Sequence, residues 1–268
     1  MVFTIVDIPK VMRTKGWIIA AALMERWFHR SARIMSLKEK EGTIPPGDLE
    51  EKLVTMAWAM KFTRARDARD ELIKTWSLPE RMERSRPHLE NQLRQWQSKV
   101  PGGRPFRFGD LSARAAVVDV TCQVNIQKIP SSAWTPIDSF YAAIGAASVK
   151  LAVSGLVTPG ANGQMRLAID EIGVYLRDTY DFNGDQMLGQ WGPNGVTKAN
   201  VLEPSIPIAQ DDVTSIAGWK PAESLKLFSV NNTDFSRYRT RFAKGGDFVI
   251  FSDIERQKLP KPIIVDFS

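Results

Sequence analysis

Three aspartates within eight residues form the densest group of side chains able to do chemistry: Asp178, Asp181 and Asp185. Carboxylate oxygens are the ligands that hard divalent cations such as Mg²⁺ prefer, and the side-chain carbonyl of Asn183 can join such a set. A carboxylate beside Tyr180 can also serve as a general base or as a charge clamp. The same stretch is equally typical of a strand that ends in a loop, where Asp and Asn side chains cap turns. A functional site and a structural corner therefore both stay open.

A second group lies near the C-terminus, where three arginines alternate with aromatic residues ahead of a double glycine. Arg237 and Arg241 are four residues apart, so that on a helix they share one face. On such a face they can neutralise a phosphate or a pyrophosphate. The alternative is a solvated basic face on a helix that ends at Gly245-Gly246.

The small number of histidines and cysteines excludes several kinds of site. One cysteine, Cys122, rules out an intramolecular disulfide and a zinc site built from cysteines. His29 and His88 are the two histidines, which leaves little material for a catalytic triad or for a site with several His ligands. Cys122 is predicted to be an inert core thiol. No motif implies an organic cofactor.

The positive charge is concentrated in the first part of the chain. The 268 residues carry a net charge of +6, and residues 1–104 hold 20 Lys and Arg against 13 Asp and Glu. A basic segment can serve nucleic acid, an anionic membrane or an acidic protein. Here acids alternate with the bases, which indicates solvated helix faces, and no nucleic-acid reader motif is present. We therefore expect no nucleic-acid partner.

The elements that must position these groups change in type near residue 104. Up to that point the hydrophobic spacing predicts helices, and the segment holds five of the eight tryptophans. Beyond it, alternating β-branched residues predict strands. The fold class expected is α+β, with a helical, Trp-rich region at 1–104 and an antiparallel β-rich domain at 105–268. Helices are predicted over 7–35 (one or two), 48–76, 79–98, 138–145 and 235–242, strands over 115–127, 149–157, 164–180, 247–252 and 261–267, and loops over 183–222.

The apolar stretches are short. The longest, residues 16–24, has nine residues, against about 20 needed to cross a bilayer. Charged residues follow it at once and no small-residue cleavage site appears, so no signal peptide is expected. The sequence predicts a protein made in the cytoplasm, without a transmembrane span.

Two resemblances add to these observations. Residues 7–28, 172–191 and 232–259, in that order, resemble an uncharacterised proteobacterial family that is often found beside type VI secretion genes. This resemblance implies an effector or a partner of one, with a type VI secretion component or a cognate protein as binding partner.

The second resemblance is local. The sequence DTYDFN at 178–183 is similar to the active-site motif of colicin M, a toxin family that hydrolyses the lipid-linked peptidoglycan precursor with magnesium. The resemblance implies site roles for Asp178, Tyr180 and Asp181. Residues 187–188 are Met-Leu where that motif continues with a His-Arg pair.

Two hypotheses of different classes follow. In the first, the protein is a type VI secretion-associated antibacterial toxin, a metal-dependent phosphodiester or pyrophosphate hydrolase that reaches the periplasm of a target cell. Asp178, Asp181 and Asp185 would then hold magnesium, with Asp178, Tyr180 and Asp181 catalytic and Asn183, Arg237 and Arg241 on the substrate. In the second, it is a non-enzymatic adaptor, chaperone or immunity protein that binds a secreted effector through its aromatic-rich helical half.

Overall fold

The computed structural model describes residues 3–100, 103–131, 135, 137–197, 206–207 and 227–267. The fold is α+β, as the sequence predicts, with helices mostly in the N-terminal part. The helices are α1 (Ile8–Thr14), α2 (Ile18–His29), α3 (Leu37–Glu41), α4 (Met56–Ala59), α5 (Thr63–Thr75), α6 (Pro79–Gln97), α7 (Ala115–Thr121), α8 (Ser139–Ile144) and α9 (Asn232–Phe242). The strands are β1 (Leu49–Glu50), β2 (Phe106–Phe108), β3 (Gln123–Lys128), β4 (Ser148–Pro159), β5 (Met165–Tyr180), β6 (Met187–Gly192), β7 (Gly195–Thr197), β8 (Ile206–Pro207), β9 (Phe228–Asn231), β10 (Phe248–Phe251) and β11 (Glu255–Phe267).

The chain divides into two compact units, each built from several segments. Unit 1 comprises Met1–Ser36, Ser131–Gly145 and Thr179–Phe248, and unit 2 comprises Leu37–Pro130, Ala146–Asp178 and Val249–Ser268. Both units therefore take segments from before and after residue 104.

Unit 1 contains α1, α2, α8 and α9 with a small sheet of strand order β7-β6-β9-β8. Strand β6 runs antiparallel to β7 and β9, and β8 runs parallel to β9. Helix α9 begins at a capping box: Asn231 accepts from the amide of Asp234 at 3.2 Å, and Asp234 accepts from the amide of Asn231 at 2.9 Å. This cap fixes where the arginine-bearing helix starts.

Unit 2 is built on a seven-stranded sheet with the order β1-β10-β5-β4-β2, in which β11 also pairs with β5 and β3 with β4. The long hairpin predicted from the alternating residues is present, since β4 and β5 pair antiparallel from Ser148↔Arg177 to Pro159↔Met165. Gly155 sits at its bulge, where a Cβ would lie 2.2 Å from the carbonyl oxygen of Ala168. Strand β5 is thus a central strand of this sheet, since it pairs with β10, β4 and β11.

Three predicted segments differ from the structure: a helix, a strand and a loop. The single helix expected over 48–76 is a short strand, β1, followed by α4 and α5. The chain leaves β1 because the Glu50 carboxylate accepts from the amides of Lys52 and Leu53 at 2.9 and 3.0 Å. Helix α4 then starts where Thr55 accepts from the amide of Trp58 at 3.1 Å.

The strand predicted over 115–127 is helix α7 followed by β3. Its β-branched run favours a strand locally, but packing decides: Ala115 and Val118 are buried on one face of the helix. Within 183–222, residues 187–192 and 195–197 form strands rather than loop, and 198–205 and 208–222 lie outside the described residues. The helices predicted at 79–98, 138–145 and 235–242 are present. Among the helices that the structure describes, none has the length and apolar character needed to cross a bilayer.

Candidate functional site

The centre of unit 1 is the indole of Trp27, which is fully buried. Its ring lies 5.0 Å from Phe182, 5.4 Å from Phe235 and 6.3 Å from Tyr238 between centroids. Phe182 and Phe235 stack on each other at 3.8 Å with their planes 6° apart. One tryptophan thus joins helix α2, the segment after β5 and helix α9 into a single aromatic cluster.

A buried carboxylate, Asp247, lies against this cluster. It accepts from Arg239 Nη2 at 2.7 Å, from the Met35 amide at 3.1 Å and from Trp27 Nε1 at 3.4 Å. Burial raises the pKa of Asp247, and the charge of nearby Asp181 raises it further, while the hydrogen bond from the Met35 amide, the Arg239 guanidinium and the Trp27 indole lower it. Asp247 is therefore a buried acid with one matched cation and a second carboxylate within electrostatic range.

The double glycine allows close packing against the Trp27 ring and against the backbone at Ser31. Gly245 has φ +96°, and a Cβ there would lie 2.3 Å from the Trp27 ring. At Gly246 a Cβ would lie 2.5 Å from the carbonyl oxygen of Ser31. The helix itself ends earlier, at Ala243 in the left-handed conformation, so the glycines do not supply the predicted helix stop.

The aspartate motif is distributed over both units. Asp178, near the end of β5, belongs to unit 2, whereas Tyr180 and Asp181 belong to unit 1. Tyr180 is buried, with its ring stacked on Phe248 at 5.0 Å, and Asp181 is half-buried. Tyr180 therefore contributes packing, and Asp181 is the motif carboxylate that reaches the cluster around Asp247.

The rest of the motif forms an exposed turn. Asn183 and Asp185 are exposed, and the turn is held by Asn232, whose Nδ2 donates to the Asn183 carbonyl at 2.6 Å and whose amide donates to the Gln186 carbonyl at 3.0 Å. In the described part of the chain, no group of three or more His, Cys, Asp or Glu side chains is placed to hold a metal ion.

Positive charge surrounds the Tyr180–Phe248 stack. The guanidinium carbons of Arg26 and Arg30 lie 5.2 and 5.8 Å from the Phe248 ring centroid, and both side chains are half-buried. Asp181 follows Tyr180 and Asp247 precedes Phe248 in the sequence, and the charge of Asp181 acts on Asp247. This arrangement can bind an anionic group beside a carboxylate.

The arginine that is buried on helix α9 is not one of the two that the sequence spacing suggests. Arg237 and Arg241 are exposed: Arg237 lies 3.6 Å from Asp234, and Arg241 lies over the Phe242 ring. Arg239 is the buried one. The signal for it is present in the sequence, because Arg239 is four residues from Phe235 and so shares the apolar face of the helix.

A family model matches residues 3–267. The chain belongs to DUF6402, a family of unknown function. No curated protein and no solved structure matches it. In this DUF6402 chain, two of the three segments that carry the resemblance to a proteobacterial family, 172–191 and 232–259, contribute Phe182 and Phe235 to the cluster, and the third, 7–28, contributes Trp27.

Unit 2 of this DUF6402 chain holds a second polar cluster that the sequence reasoning missed. Asp119 on α7 accepts from Lys150 Nζ at 2.6 Å and from the Tyr175 hydroxyl at 2.7 Å, and it lies 3.2 Å from Arg177 Nε. Burial lowers the pKa of Lys150, and Asp119 opposes that change. These residues come from one helix and two strands, so no local sequence pattern predicts that they are in contact.

The single cysteine and the histidines have defined places. Cys122 is buried, and burial raises the pKa of its thiol to about 12, as expected of an unreactive core cysteine. His29 is exposed on α2, with Nδ1 2.6 Å from the carbonyl oxygen of Glu25. His88 pairs with Gln92 one turn along α6 at 3.0 Å.

Proposed function

We propose that this protein is a type VI secretion-associated antibacterial toxin that acts on the cell envelope by hydrolysing a phosphate-containing peptidoglycan precursor. The observation that carries the proposal is the position of Asp181. It is a half-buried carboxylate coupled to buried Asp247, in a part of unit 1 where Arg26 and Arg30 flank the Tyr180–Phe248 stack.

The residues divide the work as follows. Asp181 takes a proton from the attacking water, whose oxygen bonds to phosphorus while the bond from phosphorus to the leaving oxygen breaks, and that oxygen takes a proton from solvent. Arg26 and Arg30 neutralise the phosphate, and exposed Arg237 and Arg241 can reach a large substrate from α9. Buried Tyr180 holds the backbone of Asp181 in place rather than touching the substrate.

Magnesium, with Asp178 and Asp185 as further ligands, belongs to the proposal through the spacing of the three carboxylates in the sequence and through the colicin M resemblance. The described residues gather no three-ligand site, so no step of the hydrolysis is assigned to the metal. The place of action proposed is the periplasm of a target cell, after synthesis in the cytoplasm of the producer.

The test is growth of a bacterial host that expresses the protein with and without an added secretory leader. We expect killing only with the leader, and rescue by Asp181→Asn. Asp67→Asn, a matched change at an exposed position on α5, should kill as the parent does. If a folded Asp181→Asn protein still kills, the proposed site is wrong. If the soluble protein is harmless in both compartments, the proposed toxin function is wrong.

A second candidate is the adaptor or immunity protein, and an exposed apolar row on the unit 2 sheet favours it. Leu156, Ala168 and Ile264 lie directly opposite one another on β4, β5 and β11, and Leu156 and Ile264 are 47% and 53% exposed. An apolar patch with a polar border is typical of a protein interface. Here the border includes the Arg166–Asp266 ion pair at 2.8 Å.

Co-purification with the protein encoded next to it tests this second function. A stable complex that Leu156→Ser/Ile264→Ser abolishes would support it. A complex that survives this double change would exclude the row as the interface.

A further inference from the structure

A groove in unit 1, which shares Phe28 and Tyr238 with the aromatic cluster around Trp27, has an unusual lining. Its cavity has a volume of about 470 Å³, which is the size of a lipid headgroup or another small ligand. Apolar side chains line part of it: Val6, Pro9, Phe28 and Tyr238. The remaining lining residues are charged or basic: Lys10, Arg13, Glu25, His29 and Lys244.

The charge of the groove is positive. Glu25 is its single acid, and Arg13 already matches it, with Nη2 at 2.5 Å and Nε at 3.0 Å. Lys10 and Lys244 are both exposed, so two full positive charges face solvent beside an apolar lining. His29 adds a ring whose Nδ1 must carry hydrogen, because its partner is the Glu25 carbonyl, and this leaves Nε2 for a further contact.

An exposed aromatic side chain borders the groove. Phe242 is 41% exposed, and its ring lies 4.8 Å from Tyr238, which lines the groove. The Arg241 guanidinium lies 5.3 Å from the Phe242 centroid. Val6, in the groove itself, is 48% exposed. Exposed aromatic and aliphatic side chains next to basic residues are the composition of surfaces that bind at a membrane interface.

We propose that this face of unit 1 binds the surface of an anionic lipid bilayer, with a phosphate headgroup in the groove between Lys10 and Lys244 and with Phe242 and Val6 inserted among the lipids. Charge complementarity selects this occupant: the groove has excess positive charge and open apolar side chains, which a neutral bilayer or a free inorganic anion satisfies only in part. The inference goes beyond the proposed hydrolysis and does not depend on it.

The test is sedimentation of the full chain with vesicles of phosphatidylglycerol and phosphatidylcholine, against vesicles of phosphatidylcholine alone. We expect binding to the anionic vesicles only, and release at high salt. Lys10→Gln/Lys244→Gln should lower the partition coefficient about 30-fold, because each lysine near an anionic surface contributes about fivefold. Phe242→Ser should lower it as well, at any salt concentration.

Matched variants in unit 2 act as controls. Lys61→Gln removes an exposed lysine and Leu78→Ser an exposed apolar residue, and both should bind vesicles as the parent does. Circular dichroism and the melting temperature verify that each variant is folded. Failure to bind anionic vesicles would overturn the proposal and leave the groove to an acidic protein segment. Equal losses in the groove and control variants would overturn it too.

Discussion

Each unit has an aspartate at the centre of a polar cluster, Asp247 in unit 1 and Asp119 in unit 2, and the two are neutralised differently. In unit 1, Asp247 is fully buried, with one cationic partner, Arg239, and an aromatic ring system over it. In unit 2, the Asp119 side chain is 10% exposed and has two cationic partners, Lys150 and Arg177. In unit 1 the buried Asp247 carboxylate thus has a single cationic partner. In unit 2 the Asp119 carboxylate, which is 10% exposed, has two.

The difference shows which charge desolvation acts on in each unit. Burial raises the pKa of Asp247 and lowers the pKa of Lys150, so among the groups charged at neutral pH burial acts against an acid in the Asp247 cluster and against a base in the Asp119 cluster. The contacts around Asp247 join three chain segments, whereas those around Asp119 join a helix to a hairpin. We therefore expect unit 1 to be the more sensitive to loss of one partner.

The largest effect is expected from Arg239→Leu. Removal of the one cation leaves Asp247 charged and buried, which costs about 3–5 kcal/mol of unfolding free energy. Urea denaturation measures this loss of unfolding free energy. The double variant Arg239→Leu/Asp247→Leu should recover most of that loss, since no charge is then left unmatched. A cost below about 1 kcal/mol for the single change would show that water reaches Asp247.

Gly245→Ala should come next. A Cβ there meets the Trp27 ring at 2.3 Å, and φ +96° is strained for an L side chain, so about 2–4 kcal/mol is expected. Gly184 is the matched control, because it also has a positive φ of +80° but open space around its Cβ position. Gly184→Ala should cost only about 1 kcal/mol in the same denaturation experiment. Equal costs would mean that backbone strain, and not the contact with Trp27, decides.

The elements that the sequence predicts correctly are those with local causes. Helix α9 follows from its Asn231–Asp234 capping box, and β5 follows from the alternation at its start, residues 165–169, and from the long apolar run after it. Helix α7 was missed because Ala-Ala-Val-Val favours a strand, and only the burial of Val118 in unit 2 shows why it is helical. The break after Glu50 likewise depends on backbone contacts that hydrophobic spacing does not record.

The candidate site shows the same limit. The sequence puts Asp178, Tyr180 and Asp181 within four residues, but Asp178 belongs to unit 2 and the other two to unit 1, a division that no sequence pattern marks. Arg239 could have been found from its four-residue distance to Phe235. Nothing in the sequence pairs Asp247 with Met35, 212 positions away, since that contact exists only in the folded unit.

The pH dependence of stability separates the two units by sign. For Asp247 the folded pKa lies above the unfolded value, so its contribution is present at low pH and is lost as pH rises through the folded pKa. Asp247→Asn removes this titration, and the parent should show the steeper loss as pH rises above about 4, by up to about 1.4 kcal/mol per pH unit. Urea midpoints across that range measure the slope. If the urea midpoints of the parent and of Asp247→Asn change with pH in the same way, Asp247 does not titrate in that range.

Lys150 should give the opposite slope, with a smaller amplitude because Asp119 offsets its burial. Its folded pKa lies below the unfolded value of 10.5, so the unfolded chain binds the extra proton and stability rises with pH through the folded pKa. Lys150→Met should flatten this rise at pH values below 10.5, by at most about 1.4 kcal/mol per pH unit. Urea midpoints on the alkaline side provide the measurement, with Lys61→Met as the exposed control. A rise that persists in Lys150→Met would assign the titration to another base, and the contrast between an acid in the Asp247 cluster and a base in the Asp119 cluster would then fail.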